Sequence, residues 1–144
     1  MKEESEITMQ MFKTMMIAAS GMRAQSRRIR VVSENIANAG TTALAPGQDP
    51  YRRKVPTFKS EMDAQLGAET VRMSGVVRDQ SPFGLKYNPQ HPAADDKGYV
   101  KTPNVNSLIE MVDMKEAQKN FEANLNVIKS SRAMLMRTID LLRR

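Results

Sequence analysis

The chain of 144 residues contains no cysteine and no tryptophan, and its aromatic residues amount to only 5%. Without cysteine there is no disulfide, no thiolate nucleophile and no cysteine-based zinc site. The scarcity of aromatic side chains disfavours binding of single-stranded nucleic acid, in which bases stack on aromatic rings. No segment approaches the roughly 18 apolar residues of a membrane-spanning helix. These absences exclude thiol chemistry and disfavour both a single-stranded nucleic-acid-binding protein and a membrane-spanning one.

A catalytic or metal-binding constellation is also missing from the sequence. The single histidine, His91, lies between Pro89 and Pro92, which indicates a surface loop rather than a general base. Asp95 and Asp96 could contact a hard cation, but they stand in an ordinary turn sequence without the further oxygen ligands of a calcium loop. There is no phosphate-binding glycine loop and no nucleophile elbow. We therefore expect no enzyme, no metal and no cofactor; the alternative, a small metal-assisted enzyme, would have to use His91, Asp95 and Asp96.

The first eight residues are largely polar and carry three glutamates and one lysine, and they lack the apolar segment of a secretory signal. We predict that residues 1–8 form a flexible polar lead-in. If the protein leaves the cytoplasm, we expect it to use a route that requires no cleaved signal peptide.

Two long stretches, Met9 to Ala39 and Ser107 to Leu142, carry apolar residues at alternating steps of three and four. This spacing predicts two amphipathic helices, over 9–40 and 107–144. Gly40 is placed to end the first helix in a left-handed conformation, and Ser107 is placed as the N-cap of the second, with Glu110 completing a capping box.

All seven prolines and six of the seven glycines lie between the two apolar stretches that end at Ala39 and begin at Ser107. We predict that residues 41–106 form an extended, β-rich middle region. Residues 70–78 and 83–87 alternate apolar and polar side chains and are predicted to pair as a hairpin, with a further edge strand over 54–58. The predicted fold is therefore mainly α: two long terminal helices form an antiparallel coiled-coil hairpin, with a small β-hairpin and extended middle.

The apolar stripes of both helices are wide and rich in alanine and methionine, of which the chain has 12. Methionine adapts to irregular surfaces, so such a stripe suits contact with several different neighbours. The alternative is that methionine simply replaces leucine in an ordinary core. The net charge of +6 leaves a second alternative, a basic module that binds nucleic acid or a membrane surface, although the basic residues are scattered.

The end of the first helix reads Ser33-Glu-Asn-Ile-Ala-Asn-Ala-Gly-Thr41. This stretch resembles the N-terminal signature of the bacterial flagellar axial proteins, Ser-x-Asn-x-Ala-Asn-x-x-Thr. Within that family, the stretches 50–54, 98–105, 110–111 and 122–127 resemble the proximal-rod subunits rather than the longer hook and distal-rod proteins. The resemblance extends from about Met11 to Leu142.

The resemblance implies a structural subunit of the proximal rod of the flagellar basal body, which assembles helically with other rod proteins and helps to transmit torque. The terminal helices of such proteins form an inner coiled-coil layer. The implied partners are other rod proteins, further copies of the chain, the membrane-ring and export-gate base, and transiently the type III export apparatus. The implied location is the periplasmic part of the basal body, with no nucleic acid and no small-molecule substrate bound. Another rod subunit of the same superfamily is the nearest alternative.

We expect subunit contacts to involve the helix stripes and the signature residues. Asn35 and Asn38 could fix the stagger between subunits if they are buried at an interface, as a seam asparagine does in coiled coils; alternatively, Asn38 merely helps to end the helix. The full expected interface set is Met15, Met22, Ile29, Ser33, Asn35, Ile36, Asn38, Thr41, Asn104, Glu110, Met111, Phe121, Asn124, Leu125, Ile128 and Leu135.

Overall fold

A computed structural model describes residues 2–142, which contain two long helices and four strands. The predicted mainly α fold, with two long helices flanking a small antiparallel β region, is confirmed. Neither helix in this part of the chain combines the length and apolar character needed to cross a membrane. The elements in chain order are α1 (Lys2–Asn38), β1 (Lys54–Asp63), β2 (Ala68–Arg78), β3 (Gly84–Tyr87), β4 (Tyr99–Thr102) and α2 (Ser107–Leu142).

Helix α1 begins at Lys2, so residues 2–8 are helical where the sequence suggested a flexible lead-in. These residues include no proline or glycine, and Glu6 lies near the helix N-terminus, where negative charge is favourable. The helix ends at Asn38 without a left-handed Gly40, since positive φ occurs among the described residues at Gly47, Gly67 and Gly98.

The N-cap of α2 is Asn106 rather than the predicted Ser107. The Asn106 side-chain oxygen accepts hydrogen bonds from the backbone N–H groups of Leu108 (3.0 Å) and Ile109 (3.4 Å). Asn106 therefore satisfies two of the four N–H groups left unpaired at a helix start. The Glu110 side chain is consequently not needed for a capping box, and it turns inward instead.

The strand pairing differs from the predicted hairpin of residues 70–78 with 83–87. β2 pairs with β1, and β3 pairs with β4 in antiparallel register, with Gly84 opposite Thr102 and Tyr87 opposite Tyr99. The segment between β2 and β3 is not a hairpin turn, and its carbonyl groups accept hydrogen bonds from outside the segment. The Asn104 amide donates to the carbonyls of Asp79 (3.1 Å) and Ser81 (3.2 Å).

The described chain divides into two compact units. The first consists of residues 2–27, 58–74 and 116–142. In it, α1 and α2 approach closely: a Cβ added to Gly21 would lie 2.8 Å from the Asn124 side-chain nitrogen. β2 joins this pair through the Val71 N–H, which donates to the Ser20 hydroxyl at 3.2 Å. The buried apolar side chains of this unit are small, namely Ala18, Ala24 and Ala117.

The second unit consists of Arg28–Thr57 and Gly75–Lys115. A small apolar core of Ala43, Ala93 and Val100 lies beneath the β3–β4 pair. His91 joins the loop after α1 to the loop before β4: its Nε2 lies 3.1 Å from the Thr42 hydroxyl, and its Nδ1 accepts from the Ala93 N–H. The second unit also contains a group of buried polar side chains where α1 ends and α2 begins.

Candidate functional site

The group of polar side chains in the second unit is centred on Asn35, which is only 1% exposed. The Asn35 amide nitrogen donates to the Lys54 carbonyl (2.8 Å) and to Glu110 Oε2 (2.9 Å). Its oxygen accepts from the Lys54 N–H (2.9 Å) and the Tyr51 hydroxyl (2.8 Å). One side chain thereby joins α1, β1 and α2. We call Asn35, Tyr51, Arg53, Lys54 and Glu110 the polar junction.

The Glu110 carboxyl group has no exposed surface, yet both of its oxygens have partners. Oε2 accepts from Asn35, and Oε1 accepts from Arg53 Nε at 2.6 Å. A buried carboxylate is tolerated only when it is paired and hydrogen-bonded in this way. The Arg53 guanidinium also approaches Asp113 (3.5 Å) and Asp79 (3.7 Å).

These neighbours determine the pKa of Arg53. Burial alone lowers this pKa, but the hydrogen bond and charge of Glu110, followed by the charges of Asp113 and Asp79, outweigh burial and raise it above its ordinary value. The guanidinium therefore stays charged and remains a fixed partner of Glu110.

Tyr51 closes the junction on the side of the 39–53 loop. Burial, together with the negative charges of Glu34 and Glu110, raises the pKa of Tyr51 to about 12. The hydroxyl therefore remains protonated and continues to donate to Asn35 at any physiological pH. Lys54 is anchored through its backbone, and its ammonium group pairs with Glu34.

Asn104 extends the junction towards the β2–β3 connection. Its oxygen accepts from the Arg53 N–H at 2.8 Å, and its nitrogen donates to Asp79, Ser81 and the Ser81 hydroxyl. Hydrogen bonds from the backbone and side chain of Ser81, with a further contribution from Arg53, lower the pKa of Asp79. The result is a connected set of paired charges and amides.

The polar junction is suited to holding elements together rather than to chemistry. Each functional group of Asn35 and Glu110 is already engaged, so neither is free to bind or activate a substrate. Within residues 2–142 no group of three or more metal-ligating side chains is arranged to hold a metal ion. The arrangement fixes the end of α1, the start of β1 and the start of α2 relative to one another.

Two residues expected at a subunit interface are placed elsewhere by the structure. Asn35 and Glu110 are enclosed by their own chain, so their side chains have no surface left for a neighbour. The Asn38 side-chain amide donates to the Glu34 backbone carbonyl (2.8 Å). The Asn38 backbone carbonyl accepts from the Thr41 N–H and hydroxyl. These bonds favour the helix-ending role. Asn124 donates to the Asn120 carbonyl beside Gly21.

The other expected interface residues keep surface that a neighbour could cover. Met111, Ser33 and Thr41 are exposed. Half-buried positions are Met15, Met22, Ile29, Ile36, Phe121, Leu125, Ile128 and Leu135. In the first unit the two predicted stripes meet, because Ala19, Met22 and Ser26 of α1 and Phe121 and Ile128 of α2 line one groove of about 380 Å³.

Sequence reasoning missed the partners of Asn35 and Glu110. In the sequence, Tyr51, Arg53 and Lys54 stand out only as part of the stretch 50–54 that resembles the proximal-rod subunits. That resemblance was the one available signal, since a stretch shared by a family often marks a site. Asp79 and Asp113 stand in no recognisable pattern, so nothing local identified them.

Two family models place the chain among the flagellar basal-body rod proteins. A family model described as "Flagella basal body rod protein" matches residues 15–43, the part of α1 that runs through Asn35 into the following loop. A second, described as "Flagellar basal body rod FlgEFG protein C-terminal", matches residues 96–141, which cover β4, Glu110 and nearly all of α2.

Similarity to individual proteins extends over almost the whole chain. A flagellar basal-body rod protein FlgC of Agrobacterium fabrum is 53% identical over 127 residues, covering 88% of this chain and 91% of the relative. FlgC proteins of Borreliella burgdorferi (39% identical, 93% and 99% covered) and Escherichia coli O157:H7 (40% identical, 87% and 92% covered) are also similar. The chain belongs to the FlgC family of flagellar basal-body rod proteins. The family expected from the sequence is thus confirmed.

Proposed function

We propose that the chain is a structural subunit of the proximal rod of the bacterial flagellar basal body, where it assembles helically with other rod proteins and helps to transmit torque. The observation that carries this proposal is the 53% identity, over 88% of the chain, to a protein named flagellar basal-body rod protein FlgC. Family membership supports a structural, non-enzymatic role in motility and a location in the flagellar basal body.

The proposed mechanism is assembly through the helices. The polar junction keeps the end of α1, β1 and the start of α2 in one fixed arrangement, so that each subunit presents the same surface. Burial of exposed apolar side chains then stabilises subunit contacts by about 25 cal/mol for each Å² covered. The proposed contact residues are Met15, Met22, Ile29, Ser33, Ile36, Thr41, Met111, Phe121, Leu125, Ile128 and Leu135.

We place the assembled subunit in the periplasmic space, in contact with other rod proteins, further copies of itself and the membrane-ring and export-gate base. We further propose that it reaches this place through the type III export apparatus without a cleaved signal peptide. Transport of an unfolded chain requires that folding be easily reversed. The buried apolar side chains of the first unit, Ala18, Ala24 and Ala117, suit that requirement because a small side chain buries little apolar area and so contributes little transfer free energy.

The test is deletion of the gene, followed by electron microscopy of purified basal bodies. We expect membrane rings without a completed rod, hook or filament, and restoration by the wild-type gene on a plasmid. Intact basal bodies carrying filaments in the deletion strain would contradict the proposed function. Stability of the other rod proteins, checked by immunoblot, serves as the control for indirect effects.

A further inference from the structure

The first unit carries two neighbouring grooves that share Arg23. The apolar groove is the one lined by Ala19, Met22, Ser26, Phe121 and Ile128. The basic groove, of about 200 Å³, is lined by Arg23, Arg27 and Arg72, with Ser20 and Thr70 between them. Since Arg23 lines both, an occupant that is apolar at one end and acidic at the other could fill the two grooves together.

The three arginines of the basic groove lack strong partners within their own chain. Arg23 and Arg27 are exposed, and no carboxylate in the described part of the chain pairs with either. Arg72 contacts Glu61 at a distance of 3.5 Å, and both of these side chains are largely exposed. Arg23 and Arg27 also lie four residues apart on α1, where like charges repel. An acidic occupant would relieve this repulsion and pair the guanidinium groups.

The N-terminal segment of α1 has the complementary character. The sequence carries Glu3, Glu4 and Glu6, and the next two turns carry Ile7, Met9 and Phe12. These three apolar side chains are between 49% and 59% exposed. Packing around them is incomplete, because an open groove of about 970 Å³ remains between Ile7, Met9 and the Met134 side chain of α2.

The segment cannot reach the two grooves of its own chain. α1 is one continuous helix over Lys2–Asn38, and the 11 residues from Phe12 to Arg23 span about 16 Å along its axis. We therefore propose that the N-terminal segment of one copy, with Glu6, Ile7, Met9 and Phe12, docks into the apolar and basic grooves of a second copy, with Glu6 on the arginines. Because the two surfaces differ, the contact is head-to-tail and repeats from copy to copy. The proposal deepens the rod function and rests on it for its biological setting, but the contact itself can be measured on purified protein.

Charge exchange between the two surfaces tests the contact. One variant carries Arg23→Glu, and the other carries Glu6→Lys. Sedimentation velocity of the full chain at low salt is expected to show self-association that weakens at least about tenfold in either variant alone, because like charges then face each other. An equimolar mixture of the two variants is expected to recover association. Arg30→Glu and Glu122→Lys, exposed charge changes outside both grooves, serve as matched controls.

Cross-linking provides a second measurement, which the absence of cysteine from the chain makes specific. A mixture of Glu6→Cys and Arg27→Cys chains should form a disulfide-linked heterodimer in excess of that formed by Glu6→Cys with Arg30→Cys. Circular dichroism spectra of every variant are compared with that of the wild type to check that each variant is folded.

Several outcomes would overturn the docking proposal. These are a wild-type chain that neither associates nor cross-links, variants that associate normally, and a charge-exchanged mixture that does not recover. Variants that fail to complement motility although self-association is unchanged would assign the grooves to another protein and equally reject a second copy. The gene deletion decides the rod function separately, since it can block rod assembly whether or not this contact exists.

Discussion

Asn35 shows how one side chain can organise the joining of three elements. A side-chain amide has two donor hydrogens and an acceptor oxygen that can take two bonds, and Asn35 uses all four. Two of the bonds go to the backbone of Lys54, so the amide acts towards β1 as a neighbouring strand would. Glutamine is too long for this position, and aspartate lacks the donors for Glu110 and the Lys54 carbonyl.

We predict that Asn35→Ala lowers the free energy of unfolding by about 3 kcal/mol, because it leaves Glu110 Oε2 and the Lys54 backbone groups without their hydrogen-bond partner. The matched control is Asn38→Ala in the same signature. It removes one hydrogen bond at a partly buried helix end and should cost about 1 kcal/mol or less. Urea unfolding of the purified chain, followed by circular dichroism, measures both. Equal losses for the two variants would show that Asn35 has no special role.

Tyr51 gives the junction a signature at alkaline pH. An unfolded chain ionises tyrosine near pH ~10, whereas the folded chain holds the pKa of Tyr51 at about 12. Between these values the folded state keeps a proton that the unfolded state has lost, so stability falls as the pH rises from about 10 to about 12. We predict that Tyr51→Phe removes this part of the fall.

An absorbance titration at 295 nm tests the assignment. The component with a midpoint near 12 should be present in the wild type and absent from Tyr51→Phe. The same substitution removes the hydrogen bond to Asn35 and should lower the free energy of unfolding at pH 7 by about 1 kcal/mol. A titration curve in which the late component survives the substitution would contradict the assignment.

At the scale of an element, a row of small or polar residues runs along α2. Glu110, Ala117, Asn124 and Ser131 follow each other at intervals of seven residues, which places them on one line of a coiled-coil helix. Glu110 bonds to Asn35 of α1, and Asn124 lies against Gly21 of α1. All four side chains are small or polar and buried or half-buried, and two of them contact α1.

We predict that Ala117→Leu destabilises the chain by about 1–3 kcal/mol, because Ala117 is fully buried and a larger side chain must displace the groups packed around it. The control is Ala123→Leu, an exposed alanine six residues further along the same helix, where the same change should have almost no effect. Thermal unfolding compares them. If Ala117→Leu were tolerated as well as Ala123→Leu, the surroundings of Ala117 would not be closely packed.

The elements were predictable to the extent that their signals are local. Both helices followed from apolar spacing, which depends only on neighbouring turns. The predicted hairpin was wrong because alternation indicates a strand but not its pairing partner. In the structure, Asn104 donates to the carbonyls of Asp79 and Ser81 in the β2–β3 connection. The site was partly predictable for the same reason. Asn35 stood in the signature, but its partners Lys54 and Glu110 lie 19 and 75 residues away.

At the scale of the whole molecule, the chain keeps much of its apolar surface in contact with solvent. On α2, Leu108, Ile109, Met111 and Val112 are each more than half exposed within two turns. A monomer rarely exposes such a patch unless it is covered in an assembly. A few polar side chains, such as Asn35 and Glu110, are enclosed while many large apolar side chains are exposed, which agrees with the proposed role as a subunit.

We predict that substitutions of exposed apolar residues and of enclosed polar residues abolish function by two different routes. Met111→Lys changes an exposed side chain, so the free energy of unfolding of the purified chain should stay within about 0.5 kcal/mol of the wild type. The same variant should fail to restore motility to a deletion strain, because a charge buried against a neighbouring subunit without a partner opposes assembly. Asn35→Ala should show the opposite order, with lost stability first and lost motility as its consequence.

Growth temperature distinguishes the two routes. Lowering it should rescue motility in Asn35→Ala, whose defect is the fraction of folded chain, and should not rescue Met111→Lys, whose defect is the surface itself. Gln80→Lys, an exposed change on the β2–β3 connection, controls for added positive charge. Normal motility and normal basal bodies with Met111→Lys would show that this patch of α2 faces solvent in the rod. The subunit contacts would then have to come from the other stripe residues of α1 and α2.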